Sequence, residues 1–261
     1  MKKSLAILLS AVSFSVLADP QFNNITKKDV ENVSAEFGAN FAHTVVAAPE
    51  TNGLWGVEIG FVGGQTGTPD FKKVVDNSGG DGKDFKNVYH AAIMARAHFP
   101  FELFAELSYL PEQEISDVKI KSNSFGVGWN AGSFFNLPLD VAIGLDFSNG
   151  DLNFFQKGNG TTVPEANIDL KTKTQVYWLG VSKTFAFFTP YAKIGKSNID
   201  GDLKADANIF NISGQTKESV SMNGGFFAVG ANFQLFFLRL GVEASQIQEV
   251  KRVSGKLSFS F

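Results

Sequence analysis

The stretch Leu139-Asp140-Val141-Ala142-Ile143-Gly144-Leu145-Asp146-Phe147 decides the fold. Its odd positions are all large and apolar, and its even positions are acidic or small. A period of two places each set on one face of an extended strand, whereas a helix would mix them. The apolar face ends on an aromatic ring. The other face, Asp-Ala-Gly-Asp, suits a crowded interior better than a solvated surface.

The same pattern recurs on either side. Trp55, Val57, Ile59 and Phe61 oppose Gly56, Glu58 and Gly60; odd residues from Tyr89 to Phe99 oppose His90, Arg96 and His98. Leu103, Ala105, Leu107 and Tyr109 oppose Phe104, Glu106 and Ser108, and Leu238, Leu240 and Val242 oppose Arg239, Gly241 and Glu243. The spacing predicts strands near 54–64, 87–99, 101–110, 115–131, 138–149, 168–184, 188–203, 217–234, 236–249 and 251–261. A soluble sandwich also alternates, but its outer faces are polar. Small and singly charged inward faces, with aromatics at the ends of the apolar ones, fit an all-β fold instead. That fold is an antiparallel transmembrane β-barrel of about 10 strands with an N-terminal helical plug.

Composition agrees. The chain has 261 residues, 26 Gly, 27 Phe and no Cys, so neither disulfides nor thiolate metal sites enter. A net charge of −3 gives no basic surface for nucleic acid, and no nucleic-acid partner is expected. Lys2 and Lys3 precede an apolar run from Leu5 to Leu17, and Val16-Leu17-Ala18 has the small residues of a cleavage site. Residues 1–18 therefore read as a cleaved signal peptide, too short for a span of about 20 residues. Residues 19–52 form the plug segment and 53–261 the barrel.

The connections alternate in length. Pro100, the Phe134–Pro138 corner, Phe187–Thr189 and Leu235 mark short turns, with Pro100 taken as the centre of its hairpin; 65–86, 150–167 and 204–216 are long. Short turns belong to the periplasmic side and long loops to the outside. An even strand count then leaves Phe261 in the periplasm. Several strands change phase in their outer halves: Phe125, Val127 and Trp129 have one parity, Val118 and Ile120 the other, with a similar change between Met222 and Phe227. Either a β-bulge intervenes or these halves project above the bilayer. Lys119, Lys121, Lys171 and Lys173 favour projection.

In the plug segment, Thr26-Lys27-Lys28-Asp29 has capping-box spacing, with Asp in place of Glu. Val30, Val33, Phe37 and Phe41 follow at helical spacing and predict an amphipathic helix over 28–42. Phe37, Ala39, Phe41 and Val45 also alternate, so an eleventh strand is the competing reading. The helix is expected in or beneath the lumen, entering at Pro49 and resting on Phe104 and Phe237 taken as inward.

By parity the lumen holds Glu58, Glu102, Glu106, Asp140, Asp146 and Glu243 against Arg96, Lys193, Arg239 and Lys256. At about 3.3 Å per residue most share a similar height. Two readings stand: a structural network centred on Arg96, or a constriction that selects ions. With Pro100 as hairpin centre, His98 faces Glu102, Met94 faces Glu106 and His90 faces Leu110. No GxSxG, HExxH or metal-spaced set occurs. Neither catalysis nor any cofactor or metal is expected. The alternation to Phe259 and Phe261 looks like an assembly signal for outer-membrane barrels.

Ala47-Ala48-Pro49-Glu50-Thr51-Asn52-Gly53-Leu54-Trp55-Gly56, Phe99-Pro100-Phe101-Glu102-Leu103 and Thr189-Pro190-Tyr191-Ala192 resemble segments of an uncharacterised family of proteobacterial outer-membrane proteins. The resemblance runs over most of the mature chain and implies a barrel and a signal peptide, without an activity. In architecture alone the chain is similar to fatty-acid transporters that carry an N-terminal hatch, which are larger and share no motif with it. The expected function is a small porin-like or gated conduit for small solutes; the Phe154-Phe155 loop favours apolar ones among them or rests on the membrane surface. The alternative is a closed structural or adhesion barrel; a lipid-modifying enzyme ranks third. Expected partners are outer-membrane lipid, the secretion translocon and the barrel-assembly machinery, with the solute unspecified.

Overall fold

The computed structural model describes residues 22–50, 56–115, 118–135, 137–158, 164–211 and 215–261. The expected signal peptide lies outside the described residues, as does Trp55. Ten antiparallel strands close into a barrel: β1 (Gly56–Gly67), β2 (Asn87–Phe99), β3 (Leu103–Ile115), β4 (Val118–Asn130), β5 (Asp140–Gln156), β6 (Ala166–Ser182), β7 (Phe188–Ala205), β8 (Lys217–Leu235), β9 (Leu238–Ile247) and β10 (Val250–Ser260). The ring shuts where β1 meets β10, from Glu58 opposite Ser260 to Thr66 opposite Arg252. Val57 and Phe261 add two backbone hydrogen bonds of 3.1 and 2.8 Å. No strand edge is left open, which a bilayer demands because it offers no water to unpaired backbone groups.

The outward faces carry the apolar residues. Leu107, Tyr109, Ile143, Ile194 and Val242 are each more than half exposed on the outer wall. So large an apolar belt on a closed barrel is stable only against lipid. On β6 the outward set reads Tyr177, Leu179, Val181 toward the short turns and Asn167, Asp169, Lys171, Lys173 toward the long loops. Its inward set does the reverse, with Ile168 and Leu170 buried at the long-loop end. This inversion is the phase change seen in the sequence. β4 runs unbroken through it, and Val118 and Ile120 are buried in the lumen. Projection beyond the bilayer is therefore the cause: above the lipid the outside becomes polar and the inside becomes a hydrophobic core. The bulge lies elsewhere, in β3 between Leu110 and Gln113, where Pro111 has no amide to give to the ladder.

Two short helices complete the frame. Helix α1 (Lys27–Phe41) lies inside the barrel, and α2 (Pro69–Asn77) belongs to the first long loop. A single turn of helix, α3 (Ala131–Phe134), sits at the β4–β5 corner. The α1 capping box forms as spaced: Thr26 Oγ1 accepts the Asp29 amide at 3.2 Å, and Asp29 accepts the Thr26 amide at 2.9 Å. Helix wins over the competing strand because no sheet edge remains for residues 34–46 to join.

The height of α1 departs from expectation. It sits at the long-loop end of the lumen, above the charged residues, and the chain then descends through 42–50 toward the short turns. Its apolar face needs apolar partners, and the inverted upper strands supply them. Phe104 lines the lumen lower down and packs in a cluster with Ala39, Ala42 and Trp178. Phe237 is 62% exposed at a turn and does not face inward. The Phe154-Phe155 segment is no loop either: β5 continues to Gln156, and buried Phe154 meets Phe22 edge-on at 5.5 Å.

Candidate functional site: a two-tiered, occupied lumen

The upper tier is a hydrophobic core shared by α1, α2 and the wall. Val30, Val33, Phe37 and Phe41 all face it, with Phe22, Phe71 and Phe85 among their neighbours. Phe37 and Phe71 stack edge-on at 5.1 Å, as do Phe71 and Phe85. The wall makes room for the helix: a Cβ on Gly150 would fall 2.0 Å from the Phe41 ring. The helix is fastened at its lower end by wall side chains that serve its unpaired carbonyls. Arg252 donates to Ala39 O at 3.0 Å and Ala42 O at 2.9 Å, and Thr174 donates to Gly38 O at 3.0 Å. A cation at a helix C-terminus also opposes the negative end of the helix dipole.

The lower tier is polar, and most of its charges are paired. Lys256 lies 2.7 Å from Glu58, and Arg239 reaches both Glu58 (3.5 Å) and Glu50 of the descending segment. Arg96 lies 3.2 Å from Glu106, donates to Ala48 O at 3.2 Å and sits 4.7 Å over the Phe104 ring. Lys193 pairs with Glu243 at 3.6 Å, and Tyr191 donates to the same carboxylate at 2.9 Å. Asn232 holds the descending segment by accepting from the Ala48 amide at 2.8 Å and donating to Val46 O at 2.9 Å. The described acids (Glu50, Glu58, Glu106, Asp146, Glu243) match the bases (Arg96, Lys193, Arg239, Arg252, Lys256) in number, and nearly all are buried. A selective constriction needs a net sign facing water; this set is compensated.

Two of the expected lumen residues lie elsewhere. Glu102 stands in the β2–β3 turn with φ 62, next to Phe101 with φ 66. The hairpin thus centres on Phe101, not Pro100, and Phe99 faces Leu103. The register moves by two residues: Arg96 faces Glu106, Met94 faces Ser108 and His98 faces Phe104. Asp140 is half-buried at the short-turn rim, where Asn130 donates to it at 3.1 Å. His90 faces inward and shares a hydrogen bond of 2.9 Å with Ser254 of β10; it does not face Leu110, because the β2–β3 pairing stops at Ile93 opposite Tyr109.

Sequence reasoning singled out neither Glu36 nor Glu50 nor Arg252 as a contact residue. Parity would have found Arg252, since it shares the inward face of Lys256; the helical residue Glu36 and the descending Glu50 offer no periodic signal. His43, within the 19–52 segment expected to form the plug, joins Ser124 (2.7 Å, through Nδ1) and Glu106 (3.2 Å, through Nε2). This hydroxyl–imidazole–carboxylate chain has the members of a nucleophilic triad. However, Arg96 neutralises Glu106, and β4 is laddered on both edges at Ser124, opposite Ser108 and Ser148. The backbone amides beside Ser124 are thereby committed to the sheet.

Among solved structures the chain is similar to Ail, the attachment invasion locus protein of Yersinia pestis, in complex with the heparin analogue sucrose octasulfate. Identity there is 13%, over 79% of this chain and 97% of that one, at a TM-score of 0.35. It is also similar to the outer-membrane protease OmpT from Escherichia coli (10% identity, 82% and 100% of the chains, TM-score 0.44). A third is the translocator domain of the autotransporter NalP from Neisseria meningitidis (8% identity, 81% and 89%, TM-score 0.47). A search of curated proteins gave no match. A family model covers residues 7–261, and the chain belongs to that family, a family of unknown function (DUF6588) whose fold here is an outer-membrane β-barrel.

Proposed function

We propose that the protein is a gated conduit of the outer membrane, held shut at rest by residues 22–50 and suited to small apolar solutes. The observation that carries this reading is that a separate segment, residues 22–50, occupies the upper lumen as α1 and threads down between the wall's side chains below it. The wall behind that segment is apolar in its upper half, through Leu110, Ile120, Leu152, Leu170 and Leu203. Displacing α1 would bare an apolar path at the long-loop mouth. The lower attachments are polar pairs that water can replace, so they do not forbid movement. The expected signal peptide and the terminal Phe259 and Phe261 support routing through the translocon and the barrel-assembly machinery, with the long loops facing outward.

A closed scaffold is the second reading, favoured by the number of buried rings that join α1 to the wall. Each buried apolar side chain contributes about 1.5–3 kcal/mol, which resists spontaneous opening. Planar-bilayer recording of the refolded wild type and a deletion of residues 21–45 separates the two. A conduit is silent as wild type and conducts after deletion. A scaffold stays silent in both forms while remaining a heat-modifiable barrel. A wild type already open and unchanged by the deletion would overturn both readings.

A further inference from the structure

We propose that His43, Glu106 and Asp146 form a binding site for one divalent transition-metal ion of the zinc class, which ties the lumen segment to the wall. His43 lies just past the end of α1, Glu106 on β3 and Asp146 on β5. One ligand atom from each lies within 4.8 Å of the others. Imidazole nitrogen with carboxylate oxygens is a donor set that suits zinc and its neighbours.

Each side chain is held from behind by its other polar atom. Trp178 Nε1 donates to Asp146 Oδ2 at 2.9 Å, Arg96 lies 3.2 Å from Glu106 Oε1, and Ser124 meets His43 Nδ1 at 2.7 Å. What remains pointing inward is Asp146 Oδ1 and the pair Glu106 Oε2 and His43 Nε2, 3.2 Å apart, whose shared proton a metal ion would displace. Outer partners that orient ligands in this way are the usual second layer of a metal site.

An independent observation points to a ligand. Asp146 is 8% exposed, its Oδ1 has no hydrogen-bond partner, and it forms no ion pair among the described residues. A buried carboxylate oxygen left so is costly unless a cation or a proton meets it. Gly126 marks the place: a Cβ there would fall 2.6 Å from Asp146 Oδ1 and 2.8 Å from His43 Nε2. Both atoms thus converge on a space that any larger residue would fill. Ligands about 2.0–2.2 Å from one ion in a tetrahedral array stand roughly 3.4 Å apart, so binding asks the widest pair to close by at most about 1.4 Å. The three residues are far apart in sequence, which is why no metal spacing is legible there.

The test folds the full mature chain in detergent with EDTA or with zinc, removes free metal, and measures retained metal by mass spectrometry. Wild type folded with zinc retains one ion per chain, and cobalt in its place gives visible ligand-field bands. His43→Gln and Asp146→Asn each lower retention about tenfold or more, since loss of a supporting partner alone typically costs 10–100-fold. A wild type that folds without retaining metal overturns the proposal. So does retention in both variants equal to that of wild type. If either variant fails to fold, the cobalt spectrum of wild type decides, and absence of the bands overturns the site. Wild type without metal and an equally stable Asp146→Asn would assign the cluster to a proton instead.

Discussion

The carboxylate of Glu36, in the lumen helix, accepts the Phe71 amide of the loop helix α2 at 2.8 Å. Its other oxygen accepts the Asp70 amide at 2.7 Å. Glu36 thereby does the work of an N-cap for α2, because Thr68 is otherwise engaged, donating to Phe85 O at 2.6 Å. The carboxyl of the lumen helix thereby caps the loop helix, so α1 and α2 form one unit.

This contact predicts a pH effect. Burial pushes the Glu36 carboxyl from its ordinary 4.5 up to about 7, against the two amide hydrogen bonds that favour the charged form. A carboxyl raised on folding binds its proton more tightly when folded, so the contribution is full below pH 4.5 and is lost as pH rises through 7. The span is worth at most about 3 kcal/mol. Unfolding midpoints should fall between pH 5 and 8 in wild type, and Glu36→Gln should flatten that slope. An unchanged slope in the variant assigns the effect to another group.

The lower tier predicts unequal costs for two cations. Arg96→Ala leaves Glu106 buried and lacking its cross-strand partner, which costs about 3–5 kcal/mol. Lys121 is about half exposed, 3.2 Å from Asp151, and Lys121→Ala should cost under about 1 kcal/mol. Denaturant midpoints compare them. Equal midpoints would remove Arg96 from the centre of the network.

Phe261 tests assembly apart from stability. Its ring is 81% exposed, while its backbone completes the β1–β10 seam with Val57. Deleting Phe261 should lower the yield of heat-modifiable barrel in cells yet leave refolding in detergent nearly unchanged. Full yield in cells would count against the terminal phenylalanine as an assembly signal.

Strand parity made the wall legible. Glu58, Arg96, Glu106, Lys193, Arg239, Glu243 and Lys256 all face inward, because a period of two is set by the backbone alone. Glu102 escaped that logic, since two left-handed residues at Phe101 and Glu102 moved the hairpin centre by one position. Such a choice depends on local dihedrals that composition does not specify. Val30, Val33, Phe37 and Phe41 gave the helix and its apolar face, but not its height in the barrel. Height follows from where the wall inverts from charged to apolar, a property of several strands taken together. Contacts such as Glu36 with α2, or His43 with β3, join segments distant in sequence and carry no periodic mark.

Arg252 offers the sharpest test of how the lumen helix is held. It is 2% exposed, shares Ser245 as a neighbour at 3.3 Å, and donates to Ala39 O and Ala42 O. Arg252→Ala would leave Ala39 O without that donor in a buried site, at about 1–3 kcal/mol for an unsatisfied group, while Ala42 O keeps Thr44 Oγ1 at 2.9 Å. The loss falls on the helix, because the β10 backbone ladder with β1 and β9 does not involve the side chain. Hydrogen exchange on the refolded protein should therefore show faster exchange over residues 27–41 with protection of β1, β9 and β10 retained. Arg252→Lys should restore part of the protection, since an ammonium can reach one carbonyl though not both in the same geometry. Unchanged protection of 27–41 in Arg252→Ala would mean that the upper hydrophobic tier alone fixes the helix.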